Sequence, residues 1–114
     1  MKITPEQLKA VQDLLPDNEA AVGDGYLVFY IRGESFFTDD ERDAAIFCDL
    51  LERACEAKRI SFRLTSPQGS CRNWDLELWP DNSELVDDIF LESAPTKLEA
   101  WVLAVTELHG RFGK

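Results

Sequence analysis

The chain has 114 residues and carries 22 acidic side chains against 12 basic ones, a formal net charge of -10. A chain of this length is expected to form one domain with a buried core that needs neither disulfides nor a metal ion. Its negative charge disfavours direct binding of nucleic acid or of an anionic membrane and favours a basic protein surface as partner. Solubility alone is the other interpretation of the same charge.

The three cysteines are predicted to be free thiols. Cys48 and Cys55 are seven residues apart in a helical pattern, which places their Cα atoms roughly 10 Å apart. A disulfide rarely spans more than about 7 Å between Cα atoms. Free thiols suit a reducing compartment, and the sequence shows neither a signal peptide nor an apolar run long enough for a bilayer. We therefore expect a cytoplasmic protein.

The first predicted element is a helix from about Pro5 to Leu15. Thr4 is a natural N-cap, Pro5 fits the first helical position, and Gln7 completes a capping box. The polar, glycine-bearing segment from Asp17 to Gly25 is predicted to be a linker. The following run, Tyr26 to Arg32, is almost entirely β-branched or aromatic, which predicts a central strand covered on both faces.

A second helix is predicted after a short returning strand at Ser35–Phe37. Thr38 is expected to cap this helix, with Glu41 three residues later as its capping-box partner. Lys58 and Arg59 lie where the helix is expected to end. Its apolar stripe consists of Ala44, Phe47, Cys48, Leu51, Ala54 and Cys55, flanked by Ile46 and Leu50.

Two alternating segments follow, Ile60–Thr65 and Trp74–Pro80, and each predicts a strand with one buried face. They are expected to pair antiparallel. The stretch Glu84–Glu92 fits either a helix or a strand, and the adjacent hairpin favours a strand near Ile89 to Glu92.

The last predicted helix is capped either by Ser93 or by Thr96 with Glu99, and Gly110 is expected to end it. Its core stripe is Leu98, Trp101, Val102, Val105 and Leu108. The element order is α-β-α-β-β-(β)-α. This order predicts an α+β fold in which a small, mainly antiparallel sheet of three or four strands packs against three helices.

The strand Trp74–Pro80 also provides the candidate binding surface. Alternation directs Trp74, Leu76 and Leu78 inward, and no Lys or Arg lies between Arg72 and Lys97. We therefore predict a surface of uncompensated negative charge around one tryptophan. The candidate partner-binding residues are Asp75, Glu77, Trp79, Asp81, Glu84, Asp87 and Asp88.

Two alternative arrangements count against this predicted surface. Arg63, which points outward on the preceding strand, would face Asp75 or Glu77 across the pair and neutralise part of the charge. Trp79 would not be a binding residue if it packed beneath a neighbouring loop or helix instead.

No residue pattern favours catalysis or a cofactor. His109 is the only histidine, and its place in the last turn of a helix favours a structural role. Cys71 beside Arg72 is a remote candidate for a reactive thiol. The segment 81–84 lacks the spacing and the glycine of a calcium loop. We predict a non-enzymatic protein with no metal and no cofactor.

Several segments carry a resemblance to a known family. These are residues 43–52 in the second helix, the strands around Phe62 and at residues 74–80, and Ser-Ala-Pro at 93–95 leading into the amphipathic residues 98–104. Over residues 38–109 this arrangement resembles the small ABA sandwich proteins of phages and prophages. The resemblance implies a phage or mobile-element origin, implies no known enzymatic activity, and transfers no site residues.

The favoured hypothesis is a binding module whose acidic surface docks onto a basic partner, such as a host nucleic-acid-binding complex. It would inhibit that complex by steric occlusion or nucleic-acid mimicry, as acidic anti-CRISPR proteins do. The alternatives are a structural or assembly component, including a homodimer closed by Trp79 and a sheet edge, and an immunity protein for a basic toxin. An enzyme is the remaining and weakest alternative, because no cluster of perturbed side chains is evident.

Overall fold

Three helices are separated by two groups of three strands in a computed structural model that describes residues 3–15, 20–22, 26–69, 72–80 and 90–112. The elements are α1 (Pro5–Leu14), β1 (Ala20–Val22), β2 (Leu27–Ile31), β3 (Glu34–Phe37), α2 (Glu41–Ala57), β4 (Ile60–Thr65), β5 (Trp74–Pro80), β6 (Phe90–Ala94) and α3 (Lys97–Phe112). The predicted α+β class is confirmed, although the order of the elements differs slightly from the prediction.

The strands form two antiparallel sheets instead of the single sheet that was expected. Strands β1, β2 and β3 form the N-terminal sheet, and β4, β5 and β6 form the C-terminal sheet, each in chain order. The additional strand is β1, which lies inside the predicted linker and pairs with β2 through Ala20 opposite Phe29. Three residues are too few to show an alternating pattern, so this strand was not recognisable before its partner was in place.

Helices α1 and α3 begin as their capping residues predicted. The Thr4 hydroxyl accepts a hydrogen bond from the Gln7 amide at 3.2 Å, and the Gln7 side chain accepts one from the Thr4 amide at 3.0 Å. Of the two starts considered for α3, the structure has Thr96, whose hydroxyl accepts from the Glu99 amide at 3.1 Å. These bonds satisfy amides that have no partner within a helix.

Helix α2 begins differently from the prediction. Its N-cap is Asp40, whose carboxylate accepts from the Asp43 amide at 3.1 Å, so the expected capping box of Thr38 and Glu41 is wrong. Thr38 is instead buried, and its hydroxyl bonds the backbone of Leu27, accepting from the amide at 2.8 Å and donating to the carbonyl at 3.2 Å. The hydroxyl is therefore committed to strand β2 and is not available to the helix.

The C-terminal end of α3 also differs from the prediction. Arg59 has a φ of 58° and lies just beyond the α2 C-cap Lys58, where the left-handed conformation stops a helix. Gly110 was expected to stop α3, and this was wrong, because α3 continues to Phe112. A glycine ends a helix when it adopts a positive φ, and among the described glycines only Gly33 and Gly69 do so.

The described buried residues form one hydrophobic cluster that joins both sheets to the helices. Helix α3 packs on β5 and β6, while α2 packs on α3, β4 and β3. Aromatic contacts connect the layers, since the ring centroids of Phe29 and Phe47 lie 5.1 Å apart and those of Phe62 and Trp101 lie 5.2 Å apart. The helical stripes predicted from the sequence supply much of this cluster.

The C-terminal ends of α1 and α3 are joined by the histidine. His109 Nε2 lies 2.6 Å from an oxygen of the Asp13 carboxylate. Lys58 at the end of α2 donates to the Asp13 carbonyl at 3.2 Å. A cationic or hydrogen-bonding side chain is favourable at a helix C-terminus, where carbonyl groups lack partners. These contacts support the structural role predicted for His109.

Candidate partner-binding surface

The C-terminal sheet presents one face to the core and one away from it. Strand pairing places Trp79 opposite Ser61, Glu77 between Arg63 and Leu91, and Asp75 between Thr65 and Ser93. Opposed residues in an antiparallel pair point to the same side of a sheet. The outer C-terminal face is therefore formed by Ser61, Arg63, Thr65, Asp75, Glu77, Trp79, Leu91 and Ser93.

The predicted alternation of β5 is confirmed by burial. Leu76 and Leu78 are fully buried in the core cluster, and Trp74 packs against that cluster. Asp75 and Glu77, on the opposite side, are partly exposed. Three of the seven predicted binding residues thus share one partly exposed face. The other four, Asp81, Glu84, Asp87 and Asp88, lie outside the described residues.

The charge on this face is lower than expected. Arg63 Nη2 lies 2.7 Å from Glu77 Oε2, which is the cross-strand pair considered in the sequence analysis. The expectation of uncompensated charge is therefore wrong at Glu77. The lack of Lys and Arg between Arg72 and Lys97 did not reveal this ion pair. Pairing across strands depends on register and not on distance along the chain. Both side chains are accessible to solvent, so the pair contributes at most about 1 kcal/mol to stability.

The carboxylate of Asp75 is oriented by a hydrogen bond from the neighbouring strand. The Ser93 hydroxyl donates a hydrogen bond of 2.6 Å to its carboxylate across the β5–β6 pair. Hydrogen bonds to an ionised acceptor are shorter and stronger than neutral ones, which agrees with this distance. Asp75 has no ion-pair partner within the described ranges. It is therefore an oriented anionic group on the outer C-terminal face.

An apolar contribution comes from two residues on neighbouring strands. Leu91 is 55% exposed, the largest value among the exposed large hydrophobic side chains of the described residues. Trp79 is half-buried and is not among the described side chains that pack on the core cluster. Leu91 was not predicted as a surface residue, because it lies in a stretch of the sequence that fits both a helix and a strand. Once β6 is paired with β5, its register makes Leu91 an outward residue.

The described residues offer little else for chemistry. No group of three or more His, Cys, Asp or Glu side chains that could hold a metal ion occurs among them. None of their helices combines the length and the apolar composition needed to cross a membrane. Cys48 and Cys55 are buried free thiols, whereas Cys71 lies outside the described residues.

Burial makes both helical thiols unreactive. It raises the pKa of Cys48 to about 11 and that of Cys55 to about 12. Because the reactive species is the thiolate, we expect iodoacetamide at pH 8 to label neither residue in the native protein and both in urea. The measurement is mass spectrometry of a Cys71→Ser variant over time. Rapid native labelling at either position would contradict the packing of α2.

The same pKa changes predict how stability depends on pH. The neutral thiols favour the folded state at every pH below the ordinary cysteine value of about 8.5. This contribution is lost as the pH rises from there through about 11 to 12.

A search against protein-family profiles, a search of curated proteins and a search of solved structures each found no match.

Proposed function

We propose that the protein is a non-enzymatic binding module that docks the outer C-terminal face onto a basic protein surface. The observation that carries the proposal is the neighbouring placement of an exposed Leu91, a half-buried Trp79 and the oriented carboxylate of Asp75. An apolar centre with polar groups around it is the usual composition of a protein interface. The module would act in the cytoplasm and without a cofactor.

The two kinds of group would contribute differently to binding. Large side chains that become desolvated supply most of the affinity of an interface, which assigns that role to Trp79 and Leu91. The net charge of -10 would mainly raise the association rate with a basic partner, and this effect weakens as salt increases. Since Arg63 already compensates Glu77, Asp75 is the described acid of the outer C-terminal face that is better placed to meet a cation.

The partner class follows from the charge. Proteins that bind nucleic acid carry concentrated positive surfaces, and an acidic module can cover such a surface. We propose a host nucleic-acid-binding complex as the partner and steric occlusion or mimicry of the nucleic acid as the mode of inhibition. This agrees with the phage-like resemblance described above and with the sign of the charge. Asp81, Glu84, Asp87 and Asp88 would extend the contact.

Affinity capture with matched variants tests the proposal. The immobilised protein should retain a basic protein from a lysate of the source cell at about 50 mM salt and lose most of it at about 300 mM. Trp79→Ser, Leu91→Ser and Asp75→Lys should each reduce the retained amount. Glu56→Lys, a charge reversal at an exposed position of α2, should reduce it much less. Retention that is indifferent to all three substitutions would overturn the proposal.

A homodimer is the second candidate, because an exposed leucine on an open sheet face can also meet a second copy. Sedimentation equilibrium at high protein concentration distinguishes the two. The proposed module should be monomeric, whereas a dimer that Leu91→Ser dissociates would assign this face to self-association.

A further inference from the structure

The N-terminal sheet also has a face that points away from the core. Leu27 and Phe29 are fully buried, while Tyr30 is 37% exposed and Phe37 is 42% exposed. Strand β2 is therefore central, as predicted, but it is not covered on both faces. The outer N-terminal face consists of Ala21, Val28, Tyr30, Ser35 and Phe37, joined by Tyr26, which meets Phe37 edge-on.

This face is aromatic and is bordered by acids. The ring centroids of Tyr26 and Phe37 lie 6.0 Å apart. The Phe37 amide donates to the Asp43 carboxylate at 3.0 Å, and the Phe37 carbonyl accepts from the Asp40 amide at 3.1 Å. These bonds hold Asp40 and Asp43 beside the backbone of Phe37 at the end of β3, and the exposed Asp39 lies in the same turn. Asp39, Asp40 and Asp43 outnumber the exposed Arg42 of the same segment, so the chain beside this end of the face is negative on balance.

The edge of β3 beside this face is partly closed to a further strand. Both backbone hydrogen-bonding groups of Phe37 are already used by residues at the start of α2. A strand added to a sheet edge needs a continuous series of free amide and carbonyl groups. A partner is therefore expected to contact the side chains of the face and not the edge of the sheet.

We propose that the outer N-terminal face is a second docking surface, and that its occupant is an arginine-bearing segment of a protein partner. A guanidinium stacks on the flat face of a tyrosine or phenylalanine ring and forms hydrogen bonds with carboxylates at its rim. Tyr30 and Phe37 supply the rings, and Asp39, Asp40 and Asp43 supply the complementary charge. A second copy of the chain is disfavoured as occupant, because it would bring like charges together around the same border.

This surface is independent of the outer C-terminal face, since it belongs to the other sheet. The test uses the full chain labelled for NMR and titrated with a nine-residue peptide of alternating arginine and glycine. We expect chemical-shift changes at the amides of Tyr30, Ser35 and Phe37. The lysine counterpart should bind more weakly, because an ammonium stacks less well than a guanidinium.

Matched variants complete the experiment. Tyr30→Ser and Phe37→Ser should each weaken binding of the arginine peptide about two- to fivefold, the range expected from one exposed cation–π contact. Asp39→Asn should weaken it less and reduce its salt dependence. Glu56→Gln, which removes one exposed negative charge from α2 outside both surfaces, should leave it nearly unchanged. The amide spectrum of each variant shows whether it is folded.

Three results would overturn the proposal. Equal binding of the arginine and lysine peptides with shift changes spread over the whole acidic surface would indicate unspecific attraction. Shift changes confined to Asp75, Trp79 and Leu91 would overturn the second surface while supporting the first. Self-association that Tyr30→Ser abolishes would assign the face to a second copy.

Discussion

Replacing Trp101 with alanine is expected to lower the free energy of unfolding by about 3–5 kcal/mol, the largest effect of any single substitution considered. Trp101 is fully buried on α3, and its ring meets the Phe62 ring edge-on at 5.2 Å. It therefore joins α3 to the C-terminal sheet. A domain of this size is typically stable by only 5–15 kcal/mol, so the variant should be partly unfolded at 37 °C. Urea unfolding followed by circular dichroism measures the change.

Two further variants test whether the buried volume of Trp101 accounts for this loss of stability. The Trp101 indole nitrogen has no hydrogen-bond partner among the described residues, so Trp101→Phe removes volume but no hydrogen bond. We expect it to be clearly more stable than Trp101→Ala. Leu91→Ala removes a large but exposed side chain and should change stability by less than about 0.5 kcal/mol. Equal effects of Trp101→Ala and Leu91→Ala would contradict the described core.

The second large effect is expected at Thr38. Thr38→Val keeps the shape of the side chain but removes the hydroxyl that accepts from the buried Leu27 amide at 2.8 Å. The Leu27 carbonyl keeps its bond from the Thr38 amide at 3.0 Å, so one buried donor loses its partner. Leaving such a donor unsatisfied costs about 1–3 kcal/mol. The same urea experiment measures this loss.

Serine at this position is the matched control. Thr38→Ser retains the hydroxyl and loses only a methyl group, so it should be more stable than Thr38→Val. An N-cap role for Thr38 gives a different pattern. If Thr38 capped α2, Asp40→Ala would be nearly neutral, whereas the observed cap at Asp40 predicts a loss of about 1 kcal/mol for that substitution.

Local patterns were sufficient for most of the fold. Strand β5, the capping box at Thr4 and the stripe of α2 were predicted, and Thr96 was one of two caps left open for α3, because each depends on residues only a few positions apart. The predictions for β1, Thr38 and Gly110 failed for a shared reason. In each case several local conformations were compatible with the residues. Contact with β2 selected the conformation of β1 and Thr38, and the continuation of α3 to Phe112 selected that of Gly110.

The candidate surface was predicted in part. Alternation alone placed Asp75, Glu77 and Trp79 together, and the structure adds Leu91 from β6. The pairing of Arg63 with Glu77 was one of two arrangements considered, and the register of β4 against β5 selected it. The aromatic face around Tyr30 was not predicted, because a run of apolar residues does not reveal which side of a strand a helix will cover.

The amino-acid order by itself determined the helices, the in-and-out alternation of β5 and an excess of negative charge. Only the tertiary structure decided that there are two sheets, that Glu77 has a cationic neighbour and that Tyr30 and Phe37 are partly exposed. The physical reason is the distance along the chain over which each effect acts. Backbone propensity and capping act over a few residues, whereas strand register and the choice of covered face depend on packing between segments that are far apart in the chain.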